Sequence, residues 1–267
     1  MKKEKAIDMT KIPKTPHVRI CMGLAKNCVC AQQKHGVPND GSAMIQREQD
    51  TRSCEGELRE FYFDGKIHRD PAEGPARTLY CNRAQSKLCL ITYLWKGRLH
   101  RDPEVGPACI AHDAQTGVVV HEQYYWKGKE HRLNGPALIE RDATSGSVTA
   151  EFYMQHGKLH REVAPAEIYY DIGRLMVTAV GYYNRGRAHR VNGPAYMKWD
   201  RNGELTGEAY YRNGVLHRDD GPAKIAYDQR GDIAFLELWR NGALIDYYAP
   251  EPTYWPVVRP GVMKNER

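Results

Sequence analysis

The feature that most constrains the fold is a short pattern, Gly-x-x-His-Arg, that recurs through most of the chain. Its glycines stand at positions 65, 97, 128, 157, 186 and 214, and successive copies are 28 to 32 residues apart. Gly-Pro-Ala follows each copy except the fourth, where Ala164 replaces the glycine. The histidines are His68, His100, His131, His160, His189 and His217. A period of this length is typical of repeat proteins, in which each copy packs against its neighbours.

Each copy has the composition of β structure. Aromatic residues stand three or four positions before most of the glycines, and aromatic side chains favour strands. The dipeptides Asp64-Gly65, Asn213-Gly214 and Asn241-Gly242 favour tight hairpin turns, because both turn residues need a positive φ. Alternating apolar residues follow Gly-Pro-Ala. Each copy therefore predicts about two strands and two turns, and no helix of useful length.

These patterns predict an all-β fold, an elongated, twisted antiparallel sheet or solenoid of about seven two-strand hairpin repeats. We expect the array to span residues 29–248, beginning with a decayed copy at 35–43. Residues 1–28 are predicted to form a basic, flexible arm. Residues 249–267 form a proline-rich tail that we expect to shield the last strand, because proline cannot continue a ladder.

The run Glu-x-aromatic-aromatic-x-x-Gly resembles the MORN repeat (membrane occupation and recognition nexus) and its bacterial and viral variants. It is clearest in Glu151–Gly157 and Glu208–Gly214. The resemblance covers roughly 220 residues and implies an elongated array of β-hairpins that binds proteins or lipids. The chain departs from the family in its longer unit, in the arginine after histidine, and in Gly-Pro-Ala, which replaces the second glycine motif.

Six histidines at one repeat position raise the question of a metal site. Equivalent positions in adjacent two-strand units lie about 10 Å apart, whereas the ligands of one zinc ion lie about 2.0–2.3 Å from it. We therefore expect each histidine to order its turn through hydrogen bonds to the backbone, and we predict no cofactor. The weak candidates for a metal site are Cys21, Cys28, Cys30 and Cys54.

The seven cysteines all precede residue 110. An odd number of cysteines, in a chain that begins without the apolar run of a signal peptide, argues against a disulfide framework. We expect small, buried thiols in strands.

The arginine after each histidine and the aromatic residues before the turns are the candidate binding residues. These are Arg69, Arg101, Arg132, Arg161, Arg190 and Arg218, here called the arginine ladder, with Tyr125, Tyr183 and Tyr211. Further cations near the turns are Lys66, Arg98, Lys129, Lys158 and Arg187. Together they could track a polyanion. Alternatively, the arginines pair with acids of neighbouring copies, such as Glu122, Asp142, Glu151 and Glu208, and the regular recurrence favours this structural role.

The sequence predicts a non-catalytic scaffold that engages a protein partner, for instance a viral or phage inhibitor of a host factor. An alternative is binding of nucleic acid or a nucleotide-like anion through the arginine ladder. Another is a zinc-dependent or scattered-loop hydrolase built around the N-terminal cysteines and His35. His-Arg-Asp lacks the asparagine that a kinase catalytic loop needs, and no Gly-x-Ser-x-Gly, His-Glu-x-x-His or Walker motif occurs.

The same features bear on location and assembly. No stretch approaches the roughly 18 apolar residues of a membrane span. We therefore expect a cytoplasmic protein, in the host cytoplasm if the chain is viral. Homo-oligomers that form through sheet edges stay an open alternative.

Overall fold

The computed structural model describes residues 43–49, 56–81 and 87–250. These ranges contain strands and turns but no helix, which confirms the predicted all-β class. Accordingly, no helix long and apolar enough to cross a membrane is found in them. The predicted N-terminal arm, nearly all of the decayed copy and most of the C-terminal tail lie outside the described residues.

The chain divides into two compact units, residues 1–187 and 188–267. Long and short strands alternate in the first unit. They are β1 (Ala43–Gln49), β2 (Gly56–Phe63), β3 (Lys66–Ile67), β4 (Arg77–Tyr80), β5 (Leu88–Thr92), β6 (Leu94–Trp95), β7 (Arg98–Leu99), β8 (Cys109–His112), β9 (Val119–Gln123), β10 (Tyr125–Trp126), β11 (Lys129–Glu130), β12 (Leu138–Arg141), β13 (Val148–Phe152), β14 (Met154–Gln155), β15 (Lys158–Leu159), β16 (Glu167–Asp171), β17 (Met176–Gly181), β18 (Tyr183–Asn184) and β19 (Arg187–Ala188), which contains the boundary.

The long strands of the first unit form one antiparallel sheet. Their order is β1-β2-β4-β5-β8-β9-β12-β13-β16-β17, so long strands that follow one another in the chain are neighbours in the sheet. Leu138 of β12, for example, pairs with Gln123 on one side and with Phe152 on the other. This arrangement is the antiparallel meander that the sequence predicts.

The second unit repeats this pattern with fewer strands. They are β20 (Tyr196–Trp199), β21 (Leu205–Ala209), β22 (Tyr211–Arg212), β23 (Val215–Leu216), β24 (Lys224–Tyr227), β25 (Ile233–Arg240) and β26 (Ala243–Tyr248). The long strands are ordered β20-β21-β24-β25-β26, and β22 pairs with β23.

The hairpins differ from the prediction in one respect. The sequence predicts that the aromatic strand continues into the turn, whereas most copies end the long strand and then form a separate ladder of two-residue strands, such as β10–β11. The residue between them explains the break. Tyr124 donates its N–H to the carbonyl of Ala137 (2.8 Å) and accepts from the N–H of His131 (3.0 Å). Most copies therefore add a small hairpin to two long strands.

The turns of these hairpins have two consecutive residues with positive φ. At Lys127-Gly128 the φ values are 51° and 80°, and at Asn213-Gly214 they are 52° and 91°. This is the geometry of the type I′ turn, whose twist matches that of the strands. Asp64-Gly65 and Asn241-Gly242 adopt the same geometry, as the dipeptides predict.

The alanine of Gly-Pro-Ala lies at the centre of each copy. Ala137 is fully buried, and its N–H donates to the carbonyl of Phe152 (2.8 Å) while its carbonyl accepts from Tyr124. A larger side chain has no room there. The equivalent alanines, all at most 1% exposed, are Ala76, Ala108, Ala166, Ala195 and Ala223.

Small apolar clusters on the sheet supply the rest of the core in the described residues. One contains Leu90, Cys109 and Ala111, and the other contains Leu138, Ala150 and Phe152. Met154 and Leu159 of the β14–β15 hairpin pack against the second cluster. The short hairpins therefore cover part of the sheet face beneath them.

The prediction of free thiols in strands is wrong for one pair of cysteines. Cys81 and Cys89 form a disulfide, with Cα atoms 5.7 Å apart, a separation that suits such a bond. Antiparallel pairing of β4 with β5 brings the two cysteines together. Cys89 and Cys109 are buried, as expected.

Candidate functional site

The repeated histidines connect each copy to the next one. In each, Nδ1 accepts a hydrogen bond from the backbone N–H of the first turn residue in the following hairpin. The pairs are His68 with Lys96 (3.0 Å), His100 with Lys127 (3.2 Å), His131 with His156 (3.3 Å), His160 with Arg185 (3.4 Å), His189 with Asn213 (3.3 Å) and His217 with Asn241 (3.0 Å). An Nδ1 that accepts must be unprotonated, so this bond requires the neutral ring.

The surroundings of the histidines favour that neutral form. Burial lowers the pKa of His100, and the nearby Lys127 ammonium lowers it further. The pKa of His131 is lowered chiefly by burial and also by His156. Both groups therefore keep an acceptor at Nδ1 near neutral pH.

The arginine ladder lies over aromatic rings of its own copies. The distances from the guanidinium carbon to the ring centroid are 4.1 Å for Arg69 and Phe61, 4.0 Å for Arg101 and Tyr93, 4.0 Å for Arg132 and Tyr124, 3.7 Å for Arg161 and Tyr153, and 4.1 Å for Arg218 and Tyr210. These are cation–π contacts. They hold each guanidinium against the repeat, with one of its faces covered.

Each arginine of the ladder also fixes the loop that follows it. Its Nη1 donates to the carbonyl of the proline in Gly-Pro-Ala, at 3.2 to 3.4 Å in the six copies. In the fourth copy, Arg161 keeps this bond to Pro165 although Ala164 replaces the glycine. The loop between histidine and proline is therefore closed by its own arginine.

The glycine of Gly-Pro-Ala makes room for that guanidinium. A Cβ atom on Gly106 would lie 2.8 Å from Nη1 of Arg101, and φ there is +157°. At Gly135 the corresponding atom would lie 3.0 Å from Cζ of Arg132, with φ at +147°. Close approach and backbone conformation together explain the recurring glycine.

The acids that were expected to pair with the arginine ladder bind other groups. Glu122 pairs with Arg141 (3.0 Å), and Glu151 accepts from the hydroxyl of Tyr170 (2.9 Å). The Asp142 carboxylate accepts backbone N–H groups of its own turn, and these bonds lower its pKa. The arginines thus obtain their contacts within their own copies.

The candidate tyrosines are mostly covered. Tyr125 and Tyr183 are 6% and 7% exposed. The hydroxyl of Tyr125 donates to the buried Glu130 carboxylate (3.0 Å), and burial raises its pKa, as does this carboxylate. Tyr211 is half-buried, with a pKa raised mainly by burial. The rings of Tyr125 and Tyr183 therefore offer little surface to a ligand.

Four aliphatic residues that the sequence analysis passed over are exposed in the loops between His-Arg and Gly-Pro-Ala. Val105, Leu133 and Val163 of the first unit are 68%, 65% and 95% exposed, and Val191 of the second unit is 83% exposed. Neighbouring loops touch, since the amide of Asn134 donates to Glu104 (3.3 Å). We call Val105, Leu133 and Val163 the loop row. A signal was present in the sequence, since each is an aliphatic residue in an otherwise polar loop.

Cations are concentrated at the hairpin turns of the first unit. They are Lys66, Lys96, Arg98, Lys127, Lys129, Lys158, Arg185 and Arg187, here called the tip row. All eight are exposed, and none forms an ion pair with another described residue. The tip row is therefore the exposed counterpart of the arginine ladder.

Aromatic rings lie beside the tip row. The imidazole of His68 lies between the exposed Phe63 and Trp95, with centroids 5.5 and 4.4 Å away. His100 packs on Trp126 at 4.6 Å. In the next copy His131 stacks on His156 at 4.5 Å. Positive charge and aromatic surface thus alternate along the turns.

The second unit contains an open groove of about 680 Å³, lined in part by His189, Tyr210, Tyr211 and Arg218. Its charged groups already have partners. Arg212 pairs with Asp219, whose other oxygen lies 3.0 Å from Nε2 of the buried His217. That histidine contact has the length of an ion pair but is poorly directed for a hydrogen bond.

The described residues contain no cluster of three or more metal-ligating side chains. The cysteines proposed as weak zinc ligands, Cys21, Cys28, Cys30 and Cys54, lie outside the described ranges, as does His35. The geometry of the described copies therefore offers surfaces for binding: the loop row, the tip row and the groove.

Comparison with known proteins adds no assignment to these surfaces. The chain matches no protein-family model, and a search of curated proteins found no significant match. The similarity to MORN repeats therefore stays a resemblance based on the residues.

Proposed function

We propose that this chain is a non-catalytic binding scaffold that engages a protein partner through its repeat surface. The observation that carries the proposal is the loop row. Three successive loops of the first unit each expose one aliphatic side chain, and equivalent positions of neighbouring copies are about 10 Å apart. Isolated exposed aliphatic residues are common, whereas a row of them at one repeat position is typical of a contact surface.

The construction of the loops supports this function. Each loop is closed by an arginine that bonds to the following proline, so the exposed aliphatic side chain is presented on a fixed backbone. A surface that is ordered before binding loses less conformational entropy when the partner docks. Loops on a rigid framework are also where proteins commonly place binding residues.

Anion binding through the arginine ladder has less support. Its guanidinium groups stack on rings and donate to proline carbonyls, so a ligand would have to compete with these contacts. The contacts are the same from copy to copy, as expected for side chains that hold a repeat together.

Photocrosslinking tests the proposal. A benzophenone amino acid is placed at Val163, the most exposed member of the loop row, and the tagged protein is irradiated in extract of its own cells. We expect one predominant crosslinked protein, because a specific partner covers this position.

The matched control places the same amino acid at Leu175, which is 78% exposed. Leu175 lies in the turn after β16, at the far end of that strand from the loop that contains Val163. Equal crosslinking from both positions, or no adduct at Val163, would contradict a partner that docks on the loop row.

A further inference from the structure

We propose that the tip row of the first unit binds single-stranded nucleic acid. This site is distinct from the loop row in both position and ligand. It also differs from the arginine ladder, because the tip cations are exposed whereas the ladder guanidinium groups are stacked on rings.

The backbone sets the tips in a regular order. The turn glycine of each hairpin donates its N–H to a carbonyl of the preceding hairpin: Gly97 to Ile67 (2.9 Å), Gly128 to Leu99 (2.9 Å), Gly157 to Glu130 (2.8 Å) and Gly186 to Leu159 (2.8 Å). Neighbouring turns are thus hydrogen-bonded to one another. The tip row is a continuous edge rather than a set of separate loops.

The side chains of this edge carry mainly positive charge. The stem of Arg98 lies along the next turn, since its carbons would be 3.5 Å from a Cβ atom on Gly128. The only acidic residue in these turns is Asp64, and the nearby Glu130 is buried and bonded to Tyr125. A row of unpaired cations at regular intervals matches a regularly charged polyanion.

The aromatic rings select the kind of polyanion. Phe63 and Trp95 are 48% and 39% exposed and lie among the tip cations. Proteins that bind single strands combine basic surfaces with exposed rings on which unpaired bases stack. A duplex keeps its base faces covered. The turns themselves end in Lys-Gly, His-Gly or Arg-Gly from the second copy to the fifth, so they have no apolar apex that would enter a bilayer.

Fluorescence anisotropy with a labelled oligothymidylate of about 20 nucleotides tests the proposal on the full chain. We expect binding at low salt that weakens steeply as salt is added. The double variant Arg98→Gln, Lys129→Gln should reduce the slope of log K against log salt by about 1.4, since each neutralised phosphate contributes about 0.7 for a single strand. Trp95→Leu should weaken binding about fivefold through lost stacking.

The matched control is Arg174→Gln, Arg230→Gln, which removes the same net charge from turns at the other ends of the strands. It should bind like the unaltered protein. Thermal unfolding of each variant verifies that the fold is retained. Equal losses in the tip and control variants, or no binding to the oligonucleotide, would overturn the proposal. Tighter binding to a duplex of equal length, or to phosphatidylserine vesicles, would overturn the assignment to single strands.

Discussion

One arginine per copy performs three structural tasks. Arg132, for example, stacks on Tyr124, donates from Nη1 to the Pro136 carbonyl, and bonds through its backbone N–H to the Met154 carbonyl of the next hairpin (3.2 Å). The recurring glycine leaves space for its guanidinium. The conserved spacing of His-Arg and Gly-Pro-Ala within this chain therefore describes a single packing arrangement.

This arrangement predicts that Arg132 and Tyr124 are energetically coupled. In a double-mutant cycle, Arg132→Leu and Tyr124→Leu should show a coupling of about 0.5–2 kcal/mol in the free energy of unfolding, because the second substitution has no stacked pair left to break. Urea denaturation of the four proteins measures it. The exposed Lys129→Gln is the control, with an expected change within about 0.5 kcal/mol. Simple additivity would show that the stacking contributes nothing.

The histidines predict a pH dependence of stability. The pKa values of His100, His112 and His131 are lowered in the folded protein, in each case chiefly by burial. The unfolded chain then binds more protons than the folded one below about pH 6.5, so the free energy of unfolding should fall as the pH decreases through that range. Urea denaturation at pH 7.5 and 5.5 measures the change, and greater stability at the lower pH would contradict it.

At the level of the hairpin, the turns explain differences between copies. The first turn residue has positive φ in each described hairpin, yet it is lysine in two copies, histidine or arginine in two others, and Asp or Asn in the rest. Asn and Asp adopt this conformation more readily than lysine does. The copies with Lys, His or Arg therefore give up some local stability for other side chains at the tip.

We expect Lys127→Asn to raise the free energy of unfolding by about 0.5 kcal/mol, since φ at this position is 51°. Lys127→Val should lower it, because a β-branched residue is strained there. The control Lys129→Asn, just after the turn, should not be stabilising, since asparagine is disfavoured in strands. Thermal unfolding ranks the three variants, and a stabilised valine variant would contradict the turn assignment.

The elements differ in how far the sequence predicts them. Hairpin dipeptides and the repeat period predict the turns and the antiparallel order, because both depend on local backbone geometry. The short separate hairpins are not predicted, since they depend on the bonds of Tyr124 with Ala137 and His131 across the copy. The partners of the arginine ladder and the Cys81–Cys89 disulfide likewise depend on which residues the fold brings together.

At the level of the whole molecule, the repeat separates structure from function. Histidine, arginine, glycine and alanine at fixed positions hold the copies together, whereas the residues between those positions vary and are exposed. The loop row and the tip row both consist of such residues. Sequence periodicity draws attention to the first set, which explains why the loop row was missed.

The most direct test of the binding scaffold is a quantitative pull-down from extract of the protein's own cells, with nuclease added. We compare the unaltered chain with Val105→Ser, Leu133→Ser, Val163→Ser and with the control Ile172→Ser, Leu175→Ser, Val177→Ser, which alters three exposed aliphatic residues in and after the β16 turn. The account predicts a stoichiometric protein that survives nuclease, is retained by the control and is lost from the loop variant. Retention by the loop variant, or loss of the captured protein on nuclease treatment, would contradict it.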